Sequence, residues 1–385
     1  MDSLEKMLSM LFDGAVETLD ISPHLQHVAV ERYEEVGLWL ADQGFEWRIY
    51  PQGSFRLGTV VRPTTRAGEY DIDLVCLMPV RKENTTQAEL KQLVGNELHA
   101  YRRWKISSGQ GDGPATCEPR RRCWTLGYPE LGFHLDVLPS IPDVTLPPTG
   151  ILLTDRQLRA WQHSNPIGYA DWFRGRSAEL QTKLREASFA KNINVDDVPT
   201  WQVRSTLQRV VQILKWHAML FFTADSDAKP PSILITTLAA KAYRGQTDLF
   251  AATCACLATM PEYIEQRNHR WWVPNPAHPD ENFADKWNEH PERRYAFLRW
   301  HAEISSVLDE LTELRGAGLD VVASRLEKAF PGDPIHQSAK KYGEHIRQQR
   351  TDGLLHVAPT GLITTTAGTR LRDHTFHGAD PRPRS

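Results

Sequence analysis

The sequence lacks the long apolar segment that a membrane-spanning helix requires. No uninterrupted apolar run approaches the ~20 residues needed to cross a bilayer, and the first residues lack the basic-then-apolar order of a signal peptide. The 385-residue chain has 41% hydrophobic and 24% charged residues, which is average for globular proteins. We therefore expect a cytoplasmic protein with no membrane association, able to bury one large core or two smaller ones that share a cleft.

Cysteine is scarce and irregularly spaced. The five cysteines form an odd set without the spacing of a disulfide scaffold. They also lack the paired CxxC spacing of a structural zinc site. Reduced thiols, partly buried in the core, are therefore expected at Cys76, Cys117, Cys123, Cys254 and Cys256.

An excess of positive charge is also missing. The chain has 45 lysine and arginine residues against 48 acidic ones, for a formal net charge of −3 at pH 7. Non-specific binding of duplex nucleic acid depends on neutralising many phosphates, so this balance makes the surface a poor trap for DNA or RNA. The clustered basic run Arg120–Arg122 is expected to be the solvated edge of a hairpin. No duplex nucleic acid partner is predicted.

The sequence does contain a glycine–serine turn ahead of a pair of acids. The stretch Gln52–Thr59 begins Gln-Gly-Ser, and Asp71 and Asp73 alternate with apolar residues in Tyr70–Leu77. Residues two apart in a strand point to the same face, so both carboxylates should project together. Paired carboxylates suit divalent cations. The turn offers backbone N–H groups and a hydroxyl to a nucleoside triphosphate.

A third acid, Asp136, alternates with apolar residues in Phe133–Leu138. An Asp-x-Asp pair alone is weak evidence, because such pairs also cap loops or face solvent. Three acids combined with Gly53 and Ser54 indicate nucleotidyl transfer, in which metal ions held by carboxylates stabilise both the entering and the leaving oxygen. Ser54 is therefore predicted to bind phosphate, whereas Gln52 either contacts the nucleotide or only satisfies backbone groups.

These residues resemble the polymerase-beta-like nucleotidyltransferase superfamily and, within it, the cGAS/DncV-like nucleotidyltransferases of bacterial CBASS anti-phage systems. The resemblance rests on Gln-Gly-Ser-Phe-Arg-Leu-Gly-Thr from residue 52, on Asp-Ile-Asp-Leu-Val from residue 71 and on the later lone Asp136. Segments 164–173, 207–215, 229–234 and 275–285 also fit this branch. The resemblance extends over residues 20–330.

The resemblance implies two Mg²⁺ ions, or Mn²⁺, held by Asp71, Asp73 and Asp136, with Asp136 nearest the attacking hydroxyl. It also implies a lysine and a serine of the helical lobe against the β- and γ-phosphates, and Lys215 and Ser232 match those positions. Their residue chemistry alone leaves other interpretations open. Lys215 could be a solvated charge on a helix, and Ser232 could be a helix N-cap.

Short alternating stretches predict strands in the first part of the chain, and helical periodicity predominates after about residue 155. The predicted fold is α/β (α+β), with a polymerase-beta-like nucleotidyltransferase core built on a mixed sheet, a helical C-terminal lobe, and the active site in the cleft between the lobes. The predicted boundaries are 1–150 for the N-terminal helices and catalytic core, 151–350 for the helical lobe, and 351–385 for a partly mobile tail.

The activity implied by the resemblance is the synthesis of a cyclic di- or trinucleotide second messenger from ATP or other nucleoside triphosphates, with release of pyrophosphate. In anti-phage defence the product would act on a separate effector, and CBASS accessory proteins could engage the C-terminal tail. Two alternatives stay open. An RNA-terminal or oligoadenylate-type nucleotide-adding enzyme would need an RNA track, which the charge balance disfavours. A non-catalytic nucleotide-binding regulator on the same fold is disfavoured by the three intact acids.

Overall fold

The computed structural model describes residues 3–44, 46–63, 69–109, 112–155, 160–177, 204–314, 316–358, 363–364 and 368–371. The chain divides into two compact units, one of residues 16–308 and one of residues 1–15 together with 309–385. The lobe boundaries predicted at residues 150 and 350 stay a prediction. The five cysteines are all free, as expected.

Helices account for most of the regular structure in the described ranges. They are α1 (Ser3–Glu17), α2 (Pro23–Ala41), α3 (Gly53–Leu57), α4 (Gln87–Ser107), α5 (Pro166–Arg176), α6 (Thr206–Phe221), α7 (Ser232–Ala242), α8 (Leu249–Thr259), α9 (Asp285–Glu289), α10 (Pro291–Thr312), α11 (Leu319–Ala329) and α12 (Asp333–Thr351). Short 3₁₀ turns lie at Lys82–Asn84, Pro129–Leu131, Ser226–Ala228 and Met260–Tyr263.

The strands are concentrated in the first half of the chain. They are β1 (Arg48–Gln52), β2 (Tyr70–Leu77), β3 (Thr116–Pro119), β4 (Trp124–Tyr128), β5 (Phe133–Pro142), β6 (Ile151–Leu153), β7 (Gln162–Ser164), β8 (Glu265–Arg267), β9 (Arg270–Trp272), β10 (Pro274–Asn275), β11 (His278–Asn282), β12 (His356–Val357), β13 (Ile363–Thr364) and β14 (Thr369–Arg370).

The first seven strands form one mixed sheet. Its main path runs β1-β2-β5-β4-β3, while β6 pairs with the end of β5 and β7 pairs with β6. Only the central pair in this sheet, β2 and β5, is parallel; its other pairs are antiparallel. The mixed sheet predicted from the sequence is therefore confirmed. Because β2 lies between two partners, its backbone is held on both sides.

Helices α2 and α4 pack on one face of this sheet. The buried cluster on that face includes Ala29, Val36, Leu40, Val94, Leu98, Tyr101, Ile72, Leu74, Leu126, Leu135 and Val137. Full burial of one such aliphatic side chain stabilises the fold by about 1.5–3 kcal/mol. The alternation of the strands leaves the polar residues of β2 and β5 on the opposite face.

Side-chain caps begin several of these helices. Ser22 caps α2, because its hydroxyl accepts a hydrogen bond from Leu25 N at 3.2 Å. Thr86 and Glu89 form a reciprocal capping box at the start of α4. Such caps satisfy backbone N–H groups that have no partner within the helix, and each contributes about 1 kcal/mol.

The second unit has its own packing. Phe12 meets Phe330 edge to face at 5.5 Å between ring centroids, and Ser338 Oγ donates to Leu11 O at 2.8 Å. The strands β12, β13 and β14 form a small antiparallel sheet after α12. Residues 372–385, the end of the predicted tail, lie outside the described residues. Within the described ranges, no helix has both the length and the apolar character that crossing a membrane demands.

Candidate active site

The three acids predicted from the sequence come together at the centre of the sheet. In the parallel register of β2 and β5, Asp73 lies directly beside Asp136, and Asp71 lies beside His134. All four side chains occupy the face opposite to the α2 and α4 packing, since Ile72 and its neighbours of the other parity are in the core. The strand pairing therefore converts two separated sequence motifs into one cluster.

His134 is a member of this cluster that the sequence analysis did not single out. Its Nε2 lies 3.3 Å from Asp71 Oδ1, and its Nδ1 lies 3.3 Å from Glu69 Oε2. The hydrogen bond to Asp71 is the largest influence that raises the pKa of His134 to about 9, against the opposing effect of burial. The signal was present, because His134 is two residues before Asp136 and shares its face.

The carboxylates of Asp71, Asp73 and Asp136 repel one another. Burial, followed by the charges of Asp71 and Asp136, raises the pKa of Asp73 well above its usual value. Burial likewise raises the pKa of Asp136, although Thr125 Oγ1 donates a hydrogen bond to Asp136 Oδ1 at 2.5 Å. The protein thus supplies too few donors and cations to compensate these charges.

This donor set fits a divalent cation. Ligand atoms of Asp71, His134 and Asp136 all lie within 4.8 Å of one another. Carboxylate oxygens are the ligands that Mg²⁺ prefers, and a bound cation would relieve the repulsion between the acids. Of the three predicted ligands, Asp71 and Asp136 belong to this group, whereas Asp73 lies beside Asp136 but is outside it.

The glycine–serine turn lies against the acids. Strand β1 ends at Gln52, which pairs with Asp73 in the antiparallel register, and α3 begins at Gly53. Gly53 has φ +63°, and a Cβ there would lie 2.2 Å from Asp73 Oδ2. Glycine is therefore required both by the backbone conformation and by the close approach of the carboxylate. Gln52 makes no side-chain cap to α3.

A cavity of about 500 Å³ opens in front of the turn and the acids. The predicted residues that line it are Gly53, Ser54, Asp71, Asp73, Lys215 and Ser232. Asp136 and His134 line a neighbouring cavity of about 450 Å³. Helices α6 and α7 form the side of the first cavity that faces β2 and α3, so the site combines the sheet with the helical region.

Lys215 is not a solvated helix charge. Its side chain is buried on α6, and Nζ donates to Thr59 O at 2.8 Å. Burial lowers the pKa of Lys215 to about 8, with partial compensation from the charges of Asp71 and Asp73. An ammonium group has three donors, so the bond to Thr59 leaves two that can bind an anion in the cavity.

Ser232 is not an N-cap either. The cap position of α7 belongs to Pro231, and Ser232 is the first residue inside the helix. Its side chain is exposed and lines the cavity. The hydroxyl of Ser232 is therefore placed to contact a ligand.

A further cavity of about 490 Å³ shares Ile233 with the first one. Its lining combines indole rings with cationic groups, from Arg120, Arg121, Arg122, Trp161, Trp272 and Lys286. The arginine run does connect β3 to β4, as expected for a hairpin. Its charge is partly neutralised, because Arg121 Nε lies 3.0 Å from Asp155 Oδ2. Aromatic rings and cations together suit a planar heterocycle.

Comparison with known proteins shows what the region containing these residues is similar to. Residues 48–139 match the family model of the cyclic GMP-AMP synthase DncV-like nucleotidyltransferase domain. This range contains the glycine–serine turn and all three acids. A c-di-GMP synthase of Roseivirga ehrenbergii is 29% identical over 361 residues, which are 90% of each chain. The chain is a nucleotidyltransferase, and it is similar to the cGAS/DncV-like members of that class.

Two solved structures share the fold of this nucleotidyltransferase. The CD-NTase CdnG of Bradyrhizobium diazoefficiens in complex with GTP matches with a TM-score of 0.67 and 22% identity, covering 89% of this chain and 100% of that one. CdnC of E. coli MS115-1, in its complex with HORMA-deltaN, matches with a TM-score of 0.59 and 15% identity, covering 85% and 98%. The predicted fold class is thereby confirmed.

Proposed function

We propose that this nucleotidyltransferase synthesises a cyclic dinucleotide from nucleoside triphosphates, with GTP as a substrate. The observation that carries the proposal is the convergence of Asp71, Asp73 and Asp136 beside a cavity bounded by Ser54 and Lys215. The two relatives also support it, since one is a c-di-GMP synthase and the other binds GTP. A cyclic trinucleotide product would use the same chemistry.

The chemistry is two successive transfers. In the first, a sugar hydroxyl of one nucleotide attacks the α-phosphorus of the other, the bond from that phosphorus to the bridging oxygen breaks, and pyrophosphate leaves. In the second, the linear intermediate turns in the site and its remaining hydroxyl attacks its own α-phosphorus, which closes the ring and releases a second pyrophosphate. In each transfer the attacking hydroxyl also releases its proton to solvent, and the reaction needs no oxidant or reductant.

Asp71, Asp73 and Asp136 would hold the metal, two Mg²⁺ ions or Mn²⁺. When bound, such ions neutralise the phosphates and lower the pKa of the attacking hydroxyl. The side chain of His134 orients Asp71 through the 3.3 Å contact. Thr125 orients Asp136 in the same way through its hydroxyl.

The phosphates would lie between the turn and the helices. Ser54 and the backbone N–H groups of the turn would bind them from one side. Lys215 and Ser232 would bind the β- and γ-phosphates from the other side, since both line the same cavity. A contact from Gln52 to the nucleotide is part of the same proposal, on the weaker ground that it pairs with Asp73. The arginine- and tryptophan-lined cavity would accept the bases.

The biological role that follows is production of a signal in CBASS anti-phage defence, acting on a separate effector. CdnC of E. coli MS115-1 has been solved with HORMA-deltaN. A related accessory protein is a reasonable partner for this chain, with the C-terminal tail as a candidate contact.

The test is to incubate the protein with Mg²⁺ and either GTP alone, ATP alone or all four triphosphates. Products that resist phosphatase would be identified by mass spectrometry. We expect a cyclic product containing guanosine, and no such product from the Asp71→Asn/Asp73→Asn variant. Linear, phosphatase-sensitive oligonucleotides as the only product would replace this function with polymerase-type nucleotide addition.

A further inference from the structure

Three side chains on one face of α6 donate hydrogen bonds to the segment that follows the glycine–serine turn. Positions four and three apart on a helix lie on the same face. The three bonds, each 2.8 Å long, are Gln208 Nε2 to Leu57 O, Gln212 Nε2 to Val60 O, and Lys215 Nζ to Thr59 O. We call these three side chains the α6 seam.

Both glutamines of the seam are themselves held in place. Gln212 is fully buried, and the same Nε2 also donates to Asp20 Oδ1 at 2.7 Å. Gln208 belongs to the capping box of α6, where its Oε1 accepts from Ser205 N at 2.7 Å. The amide oxygen of Gln208 therefore helps to cap the start of α6, while its amide nitrogen donates to Leu57 O.

Gly58 makes this close approach possible. It has φ +66°, and a Cβ there would lie 2.5 Å from Gln208 Nε2 and 2.6 Å from Arg204 Nη1. No other residue type would allow α6 to approach the segment so closely without displacing these groups.

The segment Leu57–Val60 is also hydrogen-bonded to the residues of the glycine–serine turn. Thr59 N donates to Ser54 O at 2.9 Å, and Gly58 N donates to Phe55 O at 3.3 Å. The position of Ser54 therefore depends on the Leu57–Val60 segment, whose carbonyls are the acceptors of the seam. Neither glutamine lines the 500 Å³ cavity, so any effect they have on a ligand must act through these contacts.

We propose that Gln208 and Gln212 are positioning residues for the nucleoside triphosphate. They hold the Leu57–Val60 segment against α6, so that the Ser54 hydroxyl and the Lys215 ammonium face the phosphates together. This inference rests on the proposed function, because it assumes that a triphosphate occupies the cavity. Its observable consequence is a loss of triphosphate affinity without a change in the groups that contact the ligand.

The most selective variant is Gln208→Glu. The carboxylate keeps an acceptor for Ser205 N, and so preserves the capping box, but it removes the donor to Leu57 O. Gln212→Met similarly removes the donor to Val60 O while retaining a side chain of similar length. The matched control is Gln92→Glu on α4, an exposed glutamine whose Nε2 bonds Asn96 Oδ1.

Two readouts are needed, steady-state kinetics with GTP and equilibrium binding of a non-hydrolysable GTP analogue. We expect KM and the dissociation constant to rise about tenfold in Gln208→Glu, with kcat changed less than about twofold, since misplaced phosphate contacts weaken ground-state and transition-state binding alike. Gln92→Glu should match the wild type in both measurements.

A purely structural role would instead lower the melting temperature and leave KM of the folded protein unchanged. That result in Gln208→Glu, with an active wild type, would overturn the proposal. If Gln212→Met does not fold, Gln208→Glu alone decides the question. A wild type that binds the analogue but makes no cyclic product would contradict the proposed function. The dissociation constants of the analogue would still test whether the α6 seam positions the triphosphate.

Discussion

Asp136 lies in β5 and Asp143 follows seven residues later, yet the pKa values of the two carboxyl groups are shifted in opposite directions. Asp136, inside β5, sits beside Asp73, and burial raises its pKa despite the hydrogen bond from Thr125. Asp143, just after β5, has one carboxylate oxygen bonded to both the N–H and the hydroxyl of Thr145.

The other carboxylate oxygen of Asp143 faces two imidazoles. Oδ2 lies 2.5 Å from His163 Nδ1 and 3.2 Å from His278 Nε2. Burial acts to raise the pKa of Asp143, but the hydrogen bonds from Thr145 and both histidines outweigh it and hold the pKa below its usual range. Asp143 thus receives more hydrogen bonds from the protein than Asp136 does.

The two histidines show what Asp143 does. His163 belongs to β7 and His278 to β11, so Asp143 connects three strands that are distant in sequence. Asp143, His163 and His278 also form a group whose ligand atoms all lie within 4.8 Å of one another, as those of Asp71, His134 and Asp136 do. The difference teaches that burial of a carboxylate does not by itself indicate catalysis, because the donors around the carboxylate decide how its charge is compensated.

The largest expected effect comes from removing the under-compensated acids. Asp71→Asn/Asp73→Asn should lower cyclic product formation by at least ~10³-fold, equivalent to about 4 kcal/mol in the barrier. The melting temperature should be equal to or above that of the wild type, because the change removes repulsion between like charges. Product quantification and thermal unfolding of the same preparation measure both quantities.

Asp136→Asn refines this test. It should also abolish product formation but retain most affinity for a non-hydrolysable triphosphate, since Asp71 and Asp73 remain. Product formation by the double variant at more than a tenth of the wild-type rate would show that these carboxylates are not the metal ligands.

Asp143 should behave in the opposite way. Asp143→Asn should lower the free energy of unfolding by about 2–4 kcal/mol, because it weakens several hydrogen bonds to a buried charge. The kcat of the folded protein should change little. Urea unfolding at pH 7 gives the stability, and kinetics below the unfolding transition give the activity.

The pH dependence of that loss follows from the direction of the pKa shift. A carboxyl with a lower pKa in the folded state contributes stability above the pKa of the unfolded chain and loses it as the pH falls through the folded value. The difference in stability between wild type and Asp143→Asn should therefore be full at pH 6–7 and shrink below about pH 4. A difference that grew in acid would contradict this account.

A smaller effect is expected at Lys215. Lys215→Ala should raise KM for GTP by roughly 10- to 100-fold, in line with about 1.5–3 kcal/mol for a hydrogen bond to a charged group. Because burial lowers the pKa of Lys215 to about 8, the ammonium loses its proton above that pH. KM of the wild type should therefore rise above pH 8, and this rise should be absent in Lys215→Ala. Unchanged KM in the variant would exclude a phosphate contact.

The sequence predicted the acids because their spacing obeys a local rule. Alternation along a strand places Asp71 and Asp73 on one face, and each strand was recognisable by itself. The parallel pairing that sets Asp73 beside Asp136 is not local, and the sequence pattern did not predict it. The position of Lys215 in the site came from the resemblance, since a lysine next to an apolar helix face is ordinarily solvated.

The α6 seam shows why other residues were missed. Gln208 and Gln212 are polar residues on a helix, and such residues usually face solvent. Both instead donate hydrogen bonds to carbonyl groups about 150 positions away in sequence. No pattern within α6 indicates that contact. The same reason applies to His163 and His278, whose shared partner Asp143 is distant from both.

The smallest effect, and the last test of the comparison, is the response to duplex nucleic acid, for which we expect none. The formal charge is −3, and the basic run 120–122 is partly neutralised, because Arg121 and Arg122 both lie within 4 Å of the Asp155 carboxylate. Tight non-specific binding needs many lysines and arginines free to neutralise phosphates, and it weakens steeply with salt. Cyclic product formation should therefore be the same with and without duplex DNA or RNA at ~150 mM salt, where such binding is already weak. A several-fold increase on adding duplex would mean that the arginines at the 490 Å³ cavity keep enough uncompensated positive charge to bind phosphates. It would favour an RNA-dependent nucleotide-adding activity over the function proposed here.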